Sequence, residues 1–203
     1  MTDPYALADV TADILGVCET EDVKEAILLG VSDGAALTLR LGHDRPDLFK
    51  ALIAVGASSP AKDRGPNDPR VKAYREEDFA AVYRRHCEET VSPGFARSPR
   101  GRSLIDTFVE RLADLKAEGI VKLLQARAPE DLLPILPAIR PPLLIINGEH
   151  DQAFAGGLQT SERVPGAVRK VLPDTGHACC IEDPAGFDAL VLAFLRGHGL
   201  MPG

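Results

Sequence analysis

The stretch AILLGVSDGAALTLRL, residues 26–41, joins a short apolar run to a helical pattern through the turn GVSDG at 30–34. The apolar run predicts a strand at about 24–29, and the spacing of the alanines and leucines that follow predicts a helix. Ser32 then stands on a sharp, strained turn that lifts its hydroxyl clear of the sheet. We expect the two glycines of the turn to let neighbouring backbone approach closely, because glycine has no Cβ.

Three further apolar runs, at 52–55, 143–146 and 168–172, have the length and composition of buried strands. Helical patterns separate them, and the last one covers Phe187 to Phe194. A further helix is predicted before the first strand, with Asp3-Pro4 at its start and Gly16 at its end. Strands that alternate with helices indicate a parallel sheet with right-handed crossovers. The sequence therefore predicts an α/β fold with a parallel sheet of about four strands flanked by helices.

The stretch 61–140 differs from the rest of the chain, because its basic residues outnumber its acidic ones and its patterns are helical at 71–90 and 104–126. We interpret it as a helical cap inserted between two parts of one core, residues 1–60 and 141–203. The segment 92–102 is predicted to be a basic loop. Its arginines could bind an anionic substrate group, but a solvated loop is the simpler interpretation.

Ser32, Asp151 and His177 each follow the carboxyl end of a predicted strand. A parallel sheet brings such loops together at one edge, where open α/β sheets bind ligands. A serine hydroxyl is a poor nucleophile at neutral pH and needs a base to take its proton. His177 would be that base, and Asp151 would hold its tautomer and stabilise the imidazolium.

Each of these three residues also has an ordinary structural interpretation. Ser32 could be a helix N-cap, Asp151 a turn residue, and His177 a loop histidine. Glu149 and Glu182 are rival acids for His177.

The remaining histidines favour structural interpretations. His43 and His86 lie in helical patterns, His150 adjoins the candidate acid in a turn, and His198 lies in a glycine-rich tail. We expect the first two to be structural, the third to be solvated and the fourth to be inert.

Composition excludes several classes of protein. The net charge of −7 disfavours nucleic acid as a partner. No apolar stretch is long enough to span a bilayer, and the start of the chain lacks the features of a signal peptide, so the cytoplasm is the expected compartment. Cys18, Cys87, Cys179 and Cys180 lack zinc-ligand spacing. We expect reduced, mostly buried thiols, with a thiol-sensitive role for the last two as the alternative.

The segments 26–58, "PPLLIINGEHD" at 141–151 and "VLPDTGHACCIEDPAGFDALVLAFL" at 171–195 resemble the α/β-hydrolase superfamily, in which the order Ser, acid, His is typical. The resemblance implies a Ser32, Asp151, His177 triad with no cofactor and no metal. The backbone amide of Asp33 would donate to the oxyanion, helped by the helix dipole.

The same resemblance implies that the first strands of the fold have no counterpart here. The loop that carries the second oxyanion donor is expected to be missing with them. The strand at 24–29 would then lie at a sheet edge, where it pairs with another copy of the chain or is covered by the N-terminal helix. The alternative is that the natural protein is longer than this sequence.

The expected function is hydrolysis of an ester, lactone or related small acyl substrate by a serine nucleophile. The alternative is a catalytically impaired remnant of the fold that binds a small molecule or a partner. Dinucleotide binding is disfavoured, because the turn after the first strand lacks G-x-G-x-x-G and Asp33 would repel pyrophosphate.

Overall fold

A computed structural model describes residues 6–60, 65, 67–127 and 130–201 of the chain. Its strands form one parallel sheet in the order β1-β2-β3-β4. Their bounds are β1 Ala26–Val31, β2 Phe49–Val55, β3 Leu143–Gly148 and β4 Val168–Leu172. All four strands were predicted from the sequence, with ends that differ by up to three residues.

The α-helices of the described residues lie before, between and after these strands. They are α1 Leu7–Thr20, α2 Asp33–Asp44, α3 Pro69–Glu76, α4 Phe79–Glu89, α5 Pro93–Arg97, α6 Pro99–Glu110, α7 Ala117–Arg127, α8 Phe154–Arg163, α9 Cys179–Glu182 and α10 Pro184–Gly197. Short 3-10 turns occur at Arg111–Asp114 and Leu136–Ala138. None of these helices is long and apolar enough to cross a membrane.

Helices cover both faces of the sheet. One core holds the buried residues of α2 together with Leu52 and Ala54 of β2 and Leu143 and Ile145 of β3. The other core holds the alternate residues of β2 and β3, packed against Phe187 and other residues of α9 and α10. Strands β2 and β3 are buried along most of their length, as central strands of a parallel sheet must be.

The helices of the cap region have a small core of their own, made by Val71, Tyr74, Val82 and Val121. The pattern at 71–90 predicted one helix, but α3 and α4 are separate. Asp78 causes the break, because its carboxylate accepts the amide N–H of Ala81 and so begins a new helix. The predicted division at 61–140 includes residues outside the described ranges and stays a prediction.

The prediction of a loop at 92–102 was wrong, since this segment contains α5 and the start of α6. Ser92 and Ser98 are each followed by proline, and each hydroxyl caps its helix by accepting an amide N–H from Phe95 and Gly101. A capping serine before a proline at the first helical position is a standard helix start.

The first helix also differs from its prediction. Asp3 and Pro4, which predict its start, lie outside the described residues. Gly16 was predicted to end it, but α1 continues to Thr20. Its Ile14, Leu15 and Cys18 pack against the core that contains α2.

Strand β1 lies at an edge of the sheet. This position was predicted, because the first strands of the hydrolase fold have no counterpart in the sequence. On the face shared with α10, its residues Ile27, Leu29 and Val31 are 41%, 43% and 37% exposed. The expectation that the N-terminal helix covers this strand was wrong for these side chains, because α1 packs on the opposite face with α2.

Candidate active site

Ser32 lies in the turn between β1 and α2 with φ 59° and ψ −117°. A positive φ is strained for a residue with a side chain, so the predicted sharp turn is present. The Ser32 amide N–H donates to the carbonyl of Val55 on the neighbouring strand at 2.9 Å. The Ser32 hydroxyl makes no capping hydrogen bond within the described part of α2, which argues against the N-cap interpretation.

The two glycines of the turn serve different purposes. A Cβ on Gly30 would lie 2.0 Å from the carbonyl oxygen of Gly34 and 2.5 Å from the hydroxyl of Thr38, so only glycine fits. A Cβ on Gly34 would meet nothing within 4 Å among the described residues. The predicted steric reason is therefore confirmed for Gly30 and wrong for Gly34.

His177 and Asp151 come together as the sequence predicted. The Nδ1 of His177 and the Oδ1 of Asp151 are 2.7 Å apart, and the Asp151 side chain is completely buried. Since an ionised carboxylate only accepts, the imidazole Nδ1–H donates this bond. The other ring nitrogen, Nε2, is thereby left as the proton acceptor of the neutral ring.

Asp151 is surrounded by donors. Burial opposes its ionisation, but hydrogen bonds from His177, from the Asn147 side chain at 2.8 Å and from the Ala153 amide at 2.7 Å outweigh burial. The pKa of Asp151 therefore lies below its ordinary value. Asn147 was not predicted from the sequence, although a polar residue at the end of the apolar run of β3 was a signal for it.

Gly56, at the end of β2, provides the surface on which the His177 ring lies. It has φ 64°, and a Cβ there would be 2.5 Å from Cε1 of His177 and 2.7 Å from Nδ1. The backbone of β2 therefore approaches the imidazole more closely than any other residue type would allow.

Ser32 and His177 line the same cavity, which has a volume of about 260 Å³. The walls are mostly apolar and come from the end of β1, from α4 and α6, from the connection between α4 and α5, and from α9 with the segment before it. Besides Ser32 and His177, the lining residues are Val31, Tyr83, His86, Cys87, Thr90, Val91, Leu104, Ile105, Phe108, Ala178 and Ile181. The cap helices thus form much of the wall around the candidate nucleophile and base.

The rival acids have other partners. Glu149 is exposed, and its carboxylate accepts the amide N–H of Asp174 at 3.1 Å. Glu182 is buried and accepts two backbone amides, from Ser92 and Gly176. Among the described residues, Asp151 is the acid that is hydrogen-bonded to His177.

The other histidines differ in their surroundings. His43 pairs with Asp44, and His86 bonds to the hydroxyl of Tyr74 at 2.6 Å while also lining the cavity. His150 is exposed, and His198 bonds to the carbonyl of Phe194.

The basic segment does not supply the cavity lining. Arg100 donates to the carbonyls of Ile181 and Glu182 at 2.7 and 3.1 Å, and so ties α6 to α9. Arg102 bonds to the carbonyl of Arg97. The arginines of this segment are thus outside the lining described above, and Arg100 and Arg102 each have a structural partner.

The four cysteines are free thiols, with Cys179 buried and the others half-buried. Burial raises the pKa of Cys179 to about 12 and raises the pKa of Cys87 and Cys180 as well. A raised pKa suppresses the reactive thiolate. These values argue against the thiol-sensitive role near His177.

One group among the described residues could bring three metal-ligand atoms together. Ligand atoms of Glu149, His150 and Asp174 lie within 4.8 Å of one another, but all three residues are exposed. Exposed groups of this kind are common without an ion, and we assign no metal site to them.

Comparisons with known proteins match this chain over most of its length. Residues 1–190 match the model of the alpha/beta hydrolase family. The chain is 24% identical to 3-oxoadipate enol-lactonase 2 of Acinetobacter baylyi, over 95% of this chain and 72% of that protein. It is 28% identical to the AB hydrolase superfamily protein YisY of Bacillus subtilis, over 94% of this chain and 74% of that protein.

A solved structure shows the same fold. The enol-lactonase of Burkholderia xenovorans superposes with a TM-score of 0.86 at 24% identity, covering 95% of this chain and 74% of that one. About a quarter of each of these proteins therefore has no counterpart in the present sequence. The family match over residues 1–190 and the shared fold place this chain in the alpha/beta hydrolase family.

Proposed function

We propose that this chain is a serine hydrolase of a small ester, lactone or related acyl compound, with Ser32 as nucleophile, His177 as base and Asp151 as the acid. One observation carries the proposal. Ser32, on its strained turn, lines the same cavity as a histidine whose Nδ1 is bound to a buried carboxylate. Nucleophile, base and orienting acid are the groups that acyl transfer requires.

The chemistry follows the roles of these groups. His177 Nε2 takes the proton of the Ser32 hydroxyl while Oγ bonds to the acyl carbon. The bond to the leaving alkoxide then breaks, and the imidazolium returns the proton to it. Water repeats the sequence on the acyl-enzyme, releasing the acid and free Ser32. Asp151 stays ionised throughout, which its lowered pKa favours.

The Asp33 amide is the proposed oxyanion donor. It is the first residue of α2, and the first amides of a helix have no partner within the helix. The positive end of the helix dipole adds to its effect on a developing negative charge. We assign no second donor, and loss of one such donor in other enzymes lowers kcat by about 10²–10³.

The cavity supports a small, mostly apolar acyl group. Its volume of about 260 Å³ is modest, and its described walls hold aliphatic and aromatic side chains with no lysine or arginine. A relative named for lactone hydrolysis makes a lactone a reasonable probe. Short aliphatic esters and small lactones are therefore the substrates to test first.

The second candidate is an impaired member of the family that binds a small molecule or a partner without turnover. Ser32 is exposed to solvent and β1 lies at a bare sheet edge, so part of the usual surroundings of the nucleophile is absent from the described residues. A well-folded chain without activity that depends on Ser32 would favour this candidate.

For partners, we propose that a second copy of this chain pairs with the free edge of β1. Antiparallel pairing about a two-fold axis at Leu29 places Ile27 of each copy opposite Val31 of the other. Directly opposed residues share a face, so the three exposed side chains of each copy would form one apolar stripe. Unpaired edges with apolar side chains favour such association.

Hydrolysis of short p-nitrophenyl esters tests the proposed function. We expect Ser32→Ala and His177→Ala each to lower kcat/KM by about 10³-fold or more, because the triad acts as a unit. His150→Ala is the matched control, since His150 adjoins Asp151 but is exposed. Activity that survives in His177→Ala would exclude this residue as the base.

A further inference from the structure

Glu182 is a buried carboxylate that takes no part in the proposed triad chemistry. It is 8% exposed, and both of its side-chain oxygens are used. Oε1 accepts the amide N–H of Gly176 at 2.7 Å, and Oε2 accepts the amide N–H of Ser92 at 3.0 Å. Burial of a carboxylate is costly unless such donors replace water, so both amides have to be in place together.

The two amides belong to segments that lie far apart in the sequence. Gly176 directly precedes His177, and Ser92 caps α5 next to Val91, which lines the cavity. Glu182 thus joins the loop of the candidate base to the point where the chain passes from α4 into α5.

The two segments also touch directly. A Cβ on Gly176 would lie 2.5 Å from the carbonyl carbon of Val91, so the backbones pass at close range. On the other side of His177, the Ala178 amide donates to the carbonyl of Thr90 at 2.7 Å. His177 is therefore bracketed by contacts to the segment 90–92.

Arg100 holds Glu182 in place from its backbone side. Its guanidinium donates to the carbonyls of Ile181 and Glu182, which fixes the end of α9 against α6. The carboxylate consequently projects from a residue whose own backbone is anchored to the cap.

We propose that Glu182 is a positioning residue, whose two carboxylate oxygens hold the His177 loop and the segment 90–92, in which Thr90 and Val91 line the cavity, in one fixed relation. The orientation of the His177 ring against Asp151 and Gly56 then depends on where the cap lies. Its effect on catalysis rests on the proposed function, whereas the coupling itself is a property of the fold.

Glu182→Gln tests the coupling without any use of activity. The amide group of glutamine replaces one acceptor oxygen by a donor, which then faces a backbone N–H. We expect the amides of Gly176 and Ser92 both to exchange with solvent about tenfold faster or more, and the His177 Nδ1 proton resonance to shift. Glu149→Gln, an exposed carboxylate that also accepts a backbone amide, should change neither readout.

Unchanged exchange at either amide, or an unchanged His177 resonance, would overturn the proposal. Native-state exchange of the wild-type protein gives a test that needs no variant. The amides of Gly176 and Ser92 should open in one event, with the same dependence on denaturant. Separate openings would also overturn the proposal.

Kinetics then separates this proposal from the proposed function. In a wild-type protein with Ser32-dependent esterase activity, we expect Glu182→Gln to lower kcat by up to about 10²-fold through misplacement of the base, with a smaller effect on KM. A wild-type protein without that activity would contradict the proposed function, and the exchange and resonance readouts would still decide the role of Glu182.

Discussion

Gly56 illustrates how one residue type can be required for the candidate site. The backbone there has a positive φ, and the His177 ring occupies the space that a Cβ would need. The sequence shows only a glycine after an apolar strand, which is an ordinary turn signal. The contact with His177 connects residues far apart in the chain and emerges only from the fold.

Gly56→Ala should therefore be harmful in two ways. Strain at a positive φ and the clash with the imidazole should lower the free energy of unfolding by about 1–3 kcal/mol. Displacement of His177 should lower kcat for ester hydrolysis more than tenfold. Gly16→Ala is the control, because a Cβ within α1 meets nothing within 4 Å and should slightly stabilise the protein. Full activity in Gly56→Ala would contradict the placement of the ring.

Asp151 gives a prediction about pH. Its folded-state pKa lies below the ordinary value of 3.8, so its ionised form stabilises the fold above that pH. This contribution is lost as the pH falls through the folded-state pKa. We expect the difference in unfolding free energy between wild type and Asp151→Asn to shrink as the pH falls below 3.8.

Denaturant unfolding across this pH range measures that difference. Asp188→Asn, an exposed carboxylate on α10, controls for the loss of one negative charge. A difference that grows as the pH falls below 3.8 would mean that the Asp151 carboxylate is not stabilised in the folded state.

At the scale of elements, the strands were predictable because buried parallel strands leave short, continuous apolar runs. The boundaries of the helices were less predictable than the strands. The segment 92–102 looked like a loop because its arginines, glycines and prolines outweighed two capping signals, Ser92-Pro93 and Ser98-Pro99. Both capping signals are visible in the sequence, and they predict helix starts at the positions where α5 and α6 begin.

The bare edge of β1 predicts a dimer in solution. If two copies pair through this edge, light scattering should show a dimer whose fraction rises with protein concentration. Leu29→Lys should abolish it, because a charged edge resists pairing. Leu158→Lys is the control, since Leu158 is similarly exposed, at 44%, but lies on α8. A wild-type chain that stays monomeric at every concentration would contradict the proposed pairing.

For the molecule as a whole, the sequence predicted that residues 32, 151 and 177 share one edge of the sheet, since each follows a strand in a parallel arrangement. The structure joins the last two by a hydrogen bond and places the first in the same cavity as His177. Asn147 was missed although a polar residue at the end of the apolar run of β3 marks it. The role of Glu182 was missed because its partner Ser92 lies in a distant segment and no local pattern connects the two.

The molecule also differs in extent from its relatives, since it spans 72% to 74% of the relatives and the solved structure compared above. The parallel sheet and the three candidate triad residues are nevertheless all among the described residues. This combination makes activity the central question, because the triad predicts turnover while the bare edge and exposed Ser32 favour an impaired site.

Labelling by a fluorophosphonate, located by mass spectrometry of the digested protein, shows whether Ser32 is an activated nucleophile. The reagent phosphonylates serines that a neighbouring base activates. We expect one adduct on the peptide that carries Ser32, its loss in Ser32→Ala, and strong slowing in His177→Ala. A folded wild-type protein that takes up no label, or takes it up at a different serine, would exclude Ser32 as the activated nucleophile.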